Sequence, residues 1–298
     1  GEERLRAEAA RHAAQLAAEL TAGGRRVSCL AADPGSPGFG VPGAVCLGDW
    51  QEGAWSLRAM EALCSLDAAR FRLPLASAVE LLAREVGDWT LLVDAPGVVR
   101  GVAGAELLDA LVHAAAIDLV LVLTRAGQPL PLAGELGCLG LEVALVQPAA
   151  EARAPGQAKR ARGRTRLWDL YLGGAQERSV PFVGLRLLGT PPRQAPEAWK
   201  GKQIAFLDRG RTVSLGEVTG ADGTTLSVRL PPGQFPTDAL LVRDACRGCD
   251  SLLNTGKPFA SEAVHYCPPP DVLPDELAAS STGPRPVVQV GTAVASLV

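Results

Sequence analysis

The amino-acid sequence predicts an α/β protein: a parallel sheet with helices on both faces, followed by a small β-rich domain. Three observations carry this reading. Short apolar runs at residues 26–32, 89–93, 118–124 and 141–146 alternate with stretches of helical spacing. The first two runs close on an acid and a turn, Asp33-Pro34-Gly35 and Asp94-Ala95-Pro96-Gly97. Beyond Trp199 the period shortens, with strand-like segments at 203–207, 212–218, 225–229 and 239–243 separated by Asp-Arg-Gly, Gly-Ala-Asp-Gly and Pro-Pro-Gly turns. Buried strands alternating with helices build parallel sheets covered on both sides, and evenly spaced short strands build antiparallel ones.

Each element has its own local reason. Residues 2–20 place Leu5, Ala9, Ala13, Leu16 and Leu20 at helical spacing and stop at Gly23-Gly24. Helices are expected around 57–66, 77–86 and 105–115. Residues 151–166 carry Arg153, Lys159, Arg160, Arg162, Arg164 and Arg166 against a single acid, and Trp168 and Tyr171 follow. Such a segment is either a solvated helix face or a cationic arm for phosphate. The expected domains are 1–190, with an Arg-rich lid at about 151–172, then 191–246, then an irregular tail at 247–298.

The chain has 298 residues, 47% hydrophobic and 20% charged, with a formal net charge of -3. That balance excludes a disordered chain and a histone-like polycation. No uninterrupted apolar run of membrane length occurs, and the charged first helix is unlike a signal peptide, so a cytoplasmic protein is expected. Seven cysteines, with Cys29, Cys46, Cys64 and Cys138 set singly in apolar stretches, suggest buried thiols rather than a disulfide framework.

In parallel sheets, ligands sit beyond the carboxyl ends of the strands, where Asp33 and Asp94 both fall. Either acid alone is readable as a helix N-cap. The pair suits magnesium and a phosphate chain, since hard cations take carboxylate oxygen and keep several waters.

Three ordered motifs resemble the polynucleotide 5′-hydroxyl kinases of RNA processing. The first is Arg25-Arg26-Val27, then Asp33-Pro34-Gly35-Ser36-Pro37 and Pro42-Gly43; the second is Asp94-Ala95-Pro96-Gly97 continuing to Arg100-Gly101; the third is the Arg-dense segment before Trp168 and Tyr171. The resemblance covers residues 1 to about 245 and implies a P-loop NTPase-like sheet and a magnesium- and ATP-dependent phosphoryl transfer to the 5′ ends of RNA or DNA. It also implies roles. Asp33 would be the base or a magnesium-linked acid and Asp94 a magnesium acid; Arg160, Arg162, Arg164 and Arg166 would form the lid, and Gly35, Ser36 and Gly97 would line the cofactor. The sequence departs from the family pattern at Ala31, where an acid is expected, and at Ser36, where glutamine is expected. The first lysine is Lys159, so no Gly-Lys-Ser/Thr cradle precedes the first helix; Asn254-Thr255-Gly256-Lys257 lacks the spacing. Either the cradle lay upstream of Gly1, or Gly1-Glu2-Glu3-Arg4-Leu5 is its eroded remnant. Two accounts follow: a working kinase, or a degenerate scaffold that binds nucleic acid or protein partners.

The tail offers a separate constellation. Cys246, Cys249, His265 and Cys267 form a possible zinc set, against the plainer reading of unpaired loop cysteines. His12 and His113 read as ordinary helix residues. Trp50 and Trp55 read as packing under a loop or as base-stacking rings, and Trp168 and Tyr171 as either of the same two.

Overall fold

The computed structural model describes residues 2–125, 127–147, 156–192, 196–256, 288–290 and 293–295. It separates into two compact units, Gly1–Gly256 and Lys257–Val298. In the second, β14 (Val288–Val290) and β15 (Ala293–Ala295) form an antiparallel pair. The preceding elements are α1 (Glu2–Ala22), β1 (Val27–Ala31), β2 (Ala44–Gln51), β3 (Ala54–Ala62), α2 (Arg72–Ala83), β4 (Thr90–Asp94), α3 (Gly101–Ala114), β5 (Leu119–Leu123), α4 (Ala133–Cys138), β6 (Glu142–Val146), α5 (Gln157–Tyr171), β7 (Gln176–Pro181), β8 (Arg186–Gly189), β9 (Lys202–Asp208), β10 (Arg211–Ala221), β11 (Thr225–Leu230), β12 (Ala239–Arg247) and β13 (Leu253–Thr255).

The anticipated parallel sheet is found only in pieces. One sheet has the order β3-β2-β1-β4, with β1 and β4 parallel and the other pairs antiparallel; β5 and β6 form a separate parallel pair. The fold is thus mixed α/β, and most of its strand pairs are antiparallel. The helix expected around 57–66 is instead β3, the second arm of a hairpin with β2. Its apolar positions, Leu57, Met60 and Leu63, fit a helical spacing, but the Glu52-Gly53 turn, with both residues at positive φ, returns the chain onto β2. The β-rich region forms a second sheet, β13-β12-β9-β10-β11-β7, with β8 paired parallel to β12. β7 and β8, upstream of residue 190, therefore belong to the C-terminal sheet.

Three cores hold this unit. Leu30, Val45 and Leu47 of the first sheet pack against Leu75, Val79 and Leu82 of α2 and Leu107 and Leu111 of α3. On the opposite face Ala31, Cys46 and Cys64 meet Trp168 and Leu172 of the basic-helix segment and Ala205, Leu215 and Leu241 of the second sheet. The third core, with Trp199, Ile204, Phe206, Val228 and Leu240, lies within the second sheet. Polar contacts join the two sheets as well. The Thr212 hydroxyl accepts from the Ala62 N–H at 2.9 Å, and the Cys64 carbonyl accepts from Ala245 N–H at 3.0 Å.

Cys29, Cys46 and Cys64 are buried free thiols; burial pushes Cys46 and Cys64 up to about 12. Cys138, read from sequence as another buried thiol, is exposed, because the six-residue α4 turns it outward. Among the described residues, no helix is long and apolar enough to cross a membrane.

Candidate active site

β1 and β4 run side by side, so the residues that leave their carboxyl ends emerge together. The Ala32 N–H donates to the Asp94 carbonyl at 3.0 Å, which ties the exit of β1 to the last residue of β4. Asp33 follows directly and is only 5% exposed. Its Oδ1 accepts from the Gly35 N–H at 3.0 Å, closing a tight Asx-type turn. Asp94 answers from the neighbouring strand. Burial, first, and the Asp33 charge, second, push its pKa up to about 7. Two carboxylates whose charges oppose one another in this way suit a shared cation or a shared proton.

The loop between β1 and β2 is fixed rather than free. Its Gly43 N–H donates to the Pro34 carbonyl at 3.0 Å, and the Gly43 carbonyl accepts from both Leu63 and Cys64 N–H at 2.8 Å. The buried Gln203 amide of β9 donates to the Pro42 carbonyl at 2.8 Å, so the second sheet clamps this loop. Gly35 has a packing reason: a Cβ there would lie 2.5 Å from the Leu66 carbonyl oxygen. Gly97 lies in the turn after β4, where the Val98 N–H donates to the Pro96 carbonyl at 2.8 Å. α3 opens shortly afterwards without a side-chain cap, which leaves first-turn N–H groups for another acceptor.

The basic segment forms α5, and Arg153 of that segment lies outside the described residues. Its buried stripe is Ala161, Thr165 and Trp168. Arg160 and Arg164, one turn apart, flank that stripe and are partly buried; Arg162 and Arg166 are exposed and line a shallow groove with Thr165, Asp169, Leu170 and Leu252. The four arginines therefore divide by helix face. Arg164 donates through Nε to the Leu253 carbonyl and through a terminal nitrogen to Asn254 Oδ1 at 2.9 Å. Burial and the neighbouring Arg160 charge lower its pKa, while Asp250 and Asp33 hold it up. The Asp33 charge thus acts, as a secondary influence, on both Asp94 and Arg164.

Sequence reasoning missed what fixes α5 in place. Trp168 is fully buried and its indole N–H donates to Glu217 Oε2 at 2.7 Å; Arg247 donates to the same oxygen at 2.8 Å and to Asp169 at 2.6 Å. Tyr171 stacks on Trp168, with ring centroids 5.5 Å apart, and its hydroxyl accepts from the Leu215 N–H at 3.0 Å. Both rings are spent on packing. No local pattern links Trp168 to a glutamate 49 residues onward. At the far hairpin, Trp55 stacks on Phe39 and meets Trp50 edge-on, at 5.4 and 4.8 Å.

Among the described residues, no group of three or more His, Cys, Asp or Glu side chains gathers to hold a metal. A cation at Asp33 and Asp94 would complete its shell with water and phosphate, as magnesium commonly does. Of the zinc set, Cys246 is half-buried and Cys249 exposed, both free thiols, and His265 and Cys267 lie outside the described residues. His113 sits on α3 with Nδ1 2.8 Å from the Asp109 carbonyl.

No protein-family model matches the chain, and no curated protein does. Among solved structures, the fold is similar to that of a complex of wild-type Clp1p with Pcf11p, with a TM-score of 0.61 at 14% identity, covering 74% of this chain and 67% of that one. A second Clp1p–Pcf11p structure, described as showing an extended interface and the structural basis for ATP loss in a point mutant, gives 0.60 at 14% identity, covering 74% and 68%. At that identity the likeness is one of fold: the chain has a Clp1p-like α/β architecture.

Proposed function

We propose that the chain handles polynucleotide 5′ ends in the manner of the polynucleotide 5′-hydroxyl kinases, through a magnesium-dependent acid pair and a cationic helix. The observation that carries this reading is the placement of Asp33 and Asp94 at the carboxyl ends of adjacent parallel strands, where burial first and the Asp33 charge second push Asp94 up to about 7. Magnesium fits this pair, because a divalent cation offsets both the burial and the Asp33 repulsion that raise Asp94. When bound it would neutralise phosphate charge. Asp33 accepts the proton of a 5′-hydroxyl or completes the metal shell, and Asp94 holds the metal. Arg164, with Arg160 one turn away, faces the phosphate and stabilises its charge. Arg162 and Arg166 are left to attract the nucleic-acid backbone from the outer face. ATP fits less well. No lysine precedes Lys159, and Gly35 packs against Leu66, so these residues supply no β,γ-phosphate cradle and no step is assigned to the nucleotide.

A second reading, a binding scaffold without phosphoryl transfer, is favoured by Ala31 and Ser36 at two motif positions. The Clp1p neighbours are held in complexes with Pcf11p, and a protein partner for this chain belongs to that reading.

Titration of a 5′-hydroxyl oligonucleotide with and without magnesium tests the proposal. Binding is expected to strengthen with magnesium, to lose that dependence in Asp33→Asn and Asp94→Asn, and to weaken by roughly tenfold in Arg164→Ala, the loss of one charged hydrogen bond. Arg162→Ala should mainly reduce the salt dependence. Magnesium-independent binding that is equally sensitive to Arg162 and Arg164 would leave the scaffold reading, and a labelled-ATP transfer assay on the same proteins separates binding from chemistry.

A further inference from the structure

The turn that joins β12 to β13 is built around one carboxylate. Gly248 and Leu252 close it, the Gly248 N–H donating to the Leu252 carbonyl at 2.9 Å, and Ser251 completes the three-residue loop at a φ of 61°. Asp250, at the exposed tip, folds back toward the strands. Its Oδ1 accepts from the Leu252 N–H at 3.0 Å, and its two carboxylate oxygens accept from the Asn254 side-chain amide at 3.3 and 3.2 Å. A Cβ on Gly248 would lie 2.8 Å from that Oδ1, so only glycine leaves the carboxylate its seat. A side-chain amide has a donor end and an acceptor end. With the donor end of Asn254 turned to Asp250, the acceptor end is left for α5, where Asn254 Oδ1 takes the 2.9 Å bond from Arg164 Nη2. Leu253 takes the Arg164 Nε–H on its carbonyl. One edge of the rigid guanidinium fork is thus spent on the hairpin, and Nη1, at the other corner, makes no hydrogen bond to a described residue.

We propose that Asp250 is a positioning residue for phosphate: acting through Asn254, it holds the Arg164 fork edge-on against the hairpin and leaves the Nη1 corner for a phosphate oxygen. This inference rests on the reading of Arg164 as the phosphate-facing arginine. The carboxylate matters because it fixes which way the Asn254 amide points. Turned over, that amide would set its own N–H groups against those of the guanidinium, donor against donor, and the fork would lose its seat. A free arginine also carries much rotamer freedom that a ligand must remove on binding, and the hairpin removes it beforehand. The Asp250 charge adds to this by favouring the charged guanidinium. Arg162, on the outer face of α5, makes no hydrogen bond to a described residue and receives no such support.

Titration of the intact chain with a 5′-hydroxyl oligonucleotide and magnesium tests it through the sign of one effect. Asp250→Ala removes a negative charge, and by field alone it would tighten the binding of a polyanion. The relay predicts the opposite, a loss of about threefold to tenfold, the worth of one hydrogen bond. Asp250→Asn keeps the oxygen that accepts from Leu252 and Asn254 and should bind as the wild type does. Gly248→Ala keeps the charge but displaces the carboxylate, and should weaken binding as Asp250→Ala does. In an Arg164→Ala background, Asp250→Ala should change nothing further. Tightened or unchanged binding in Asp250→Ala, beside weakened binding in Arg164→Ala, overturns the relay and leaves the role of Arg164 standing. Losses that add in the double variant overturn it as well, because Asp250 would then act independently of Arg164. Unchanged binding in Arg164→Ala overturns the phosphate reading of that arginine, and this inference with it.

Discussion

The two sheets of Gly1–Gly256 carry strands of similar apolar content and treat them differently. β9 and β12 are buried along most of their length, each with paired neighbours on both sides. β4, β5 and β6 are as rich in Leu and Val, yet every residue in them keeps some exposure. The difference teaches that apolar composition reports a strand's demand for cover, and pairing decides whether the demand is met. The C-terminal sheet is the more buried and more fully paired of the two. It clamps the Pro42-Gly43 loop through Gln203 and anchors α5 through Glu217 and Arg247. Arg164 of that helix, on which the Asp33 charge acts, is held in turn by Leu253 and Asn254.

The largest blow to this arrangement falls on its anchor. Trp168→Ala removes a fully buried indole and leaves Glu217 with one donor fewer; thermal unfolding should show a loss of about 3–5 kcal/mol, and α5 should lose helicity. A smaller change of opposite sign is expected at Asp94. Because its folded pKa of about 7 lies above the unfolded 3.8, its charge opposes folding. Its contribution to stability is whole below pH 4 and is lost as pH rises from about 4 to about 7. Asp94→Asn should therefore stabilise the protein at pH 8 by on the order of 2 kcal/mol while removing magnesium dependence, and denaturant melts at pH 4 and pH 8 separate the two effects. The smallest effect belongs to the open strands. Leu145→Ser, at a side chain 62% exposed, should shift stability by less than about 0.5 kcal/mol in this chain. The same exchange on the buried Leu240 of β12 should cost several-fold more.

Much of the fold was legible in the sequence. Continuous apolar runs ending in Asp and a turn marked β1 and β4 at their carboxyl ends, and the change of period after Trp199 marked the second sheet. What local pattern could not carry was pairing. β3 reads as a helix because three apolar residues fall at helical spacing, until the Glu52-Gly53 turn lays it against β2. β7 ends 44 residues before its partner β11 begins, counted from Pro181 to Thr225, and nothing near either announces the other. Of the site, both acids were readable as strand-end residues. The division of the arginines was hidden, because it depends on Leu253 and Asn254, nearly ninety residues away, which hold Arg164 and leave Arg162 outside.

The most direct test of the central claim is the carboxyl titration of Asp94, followed by side-chain carbon chemical shifts across pH in the wild type, in Asp33→Asn and in the presence of magnesium. The account predicts a midpoint near 7 in the metal-free protein, lowered both by Asp33→Asn and by magnesium. A midpoint near 4 that neither the substitution nor the cation moves would contradict it, because the two acids would then share neither a field nor a ligand.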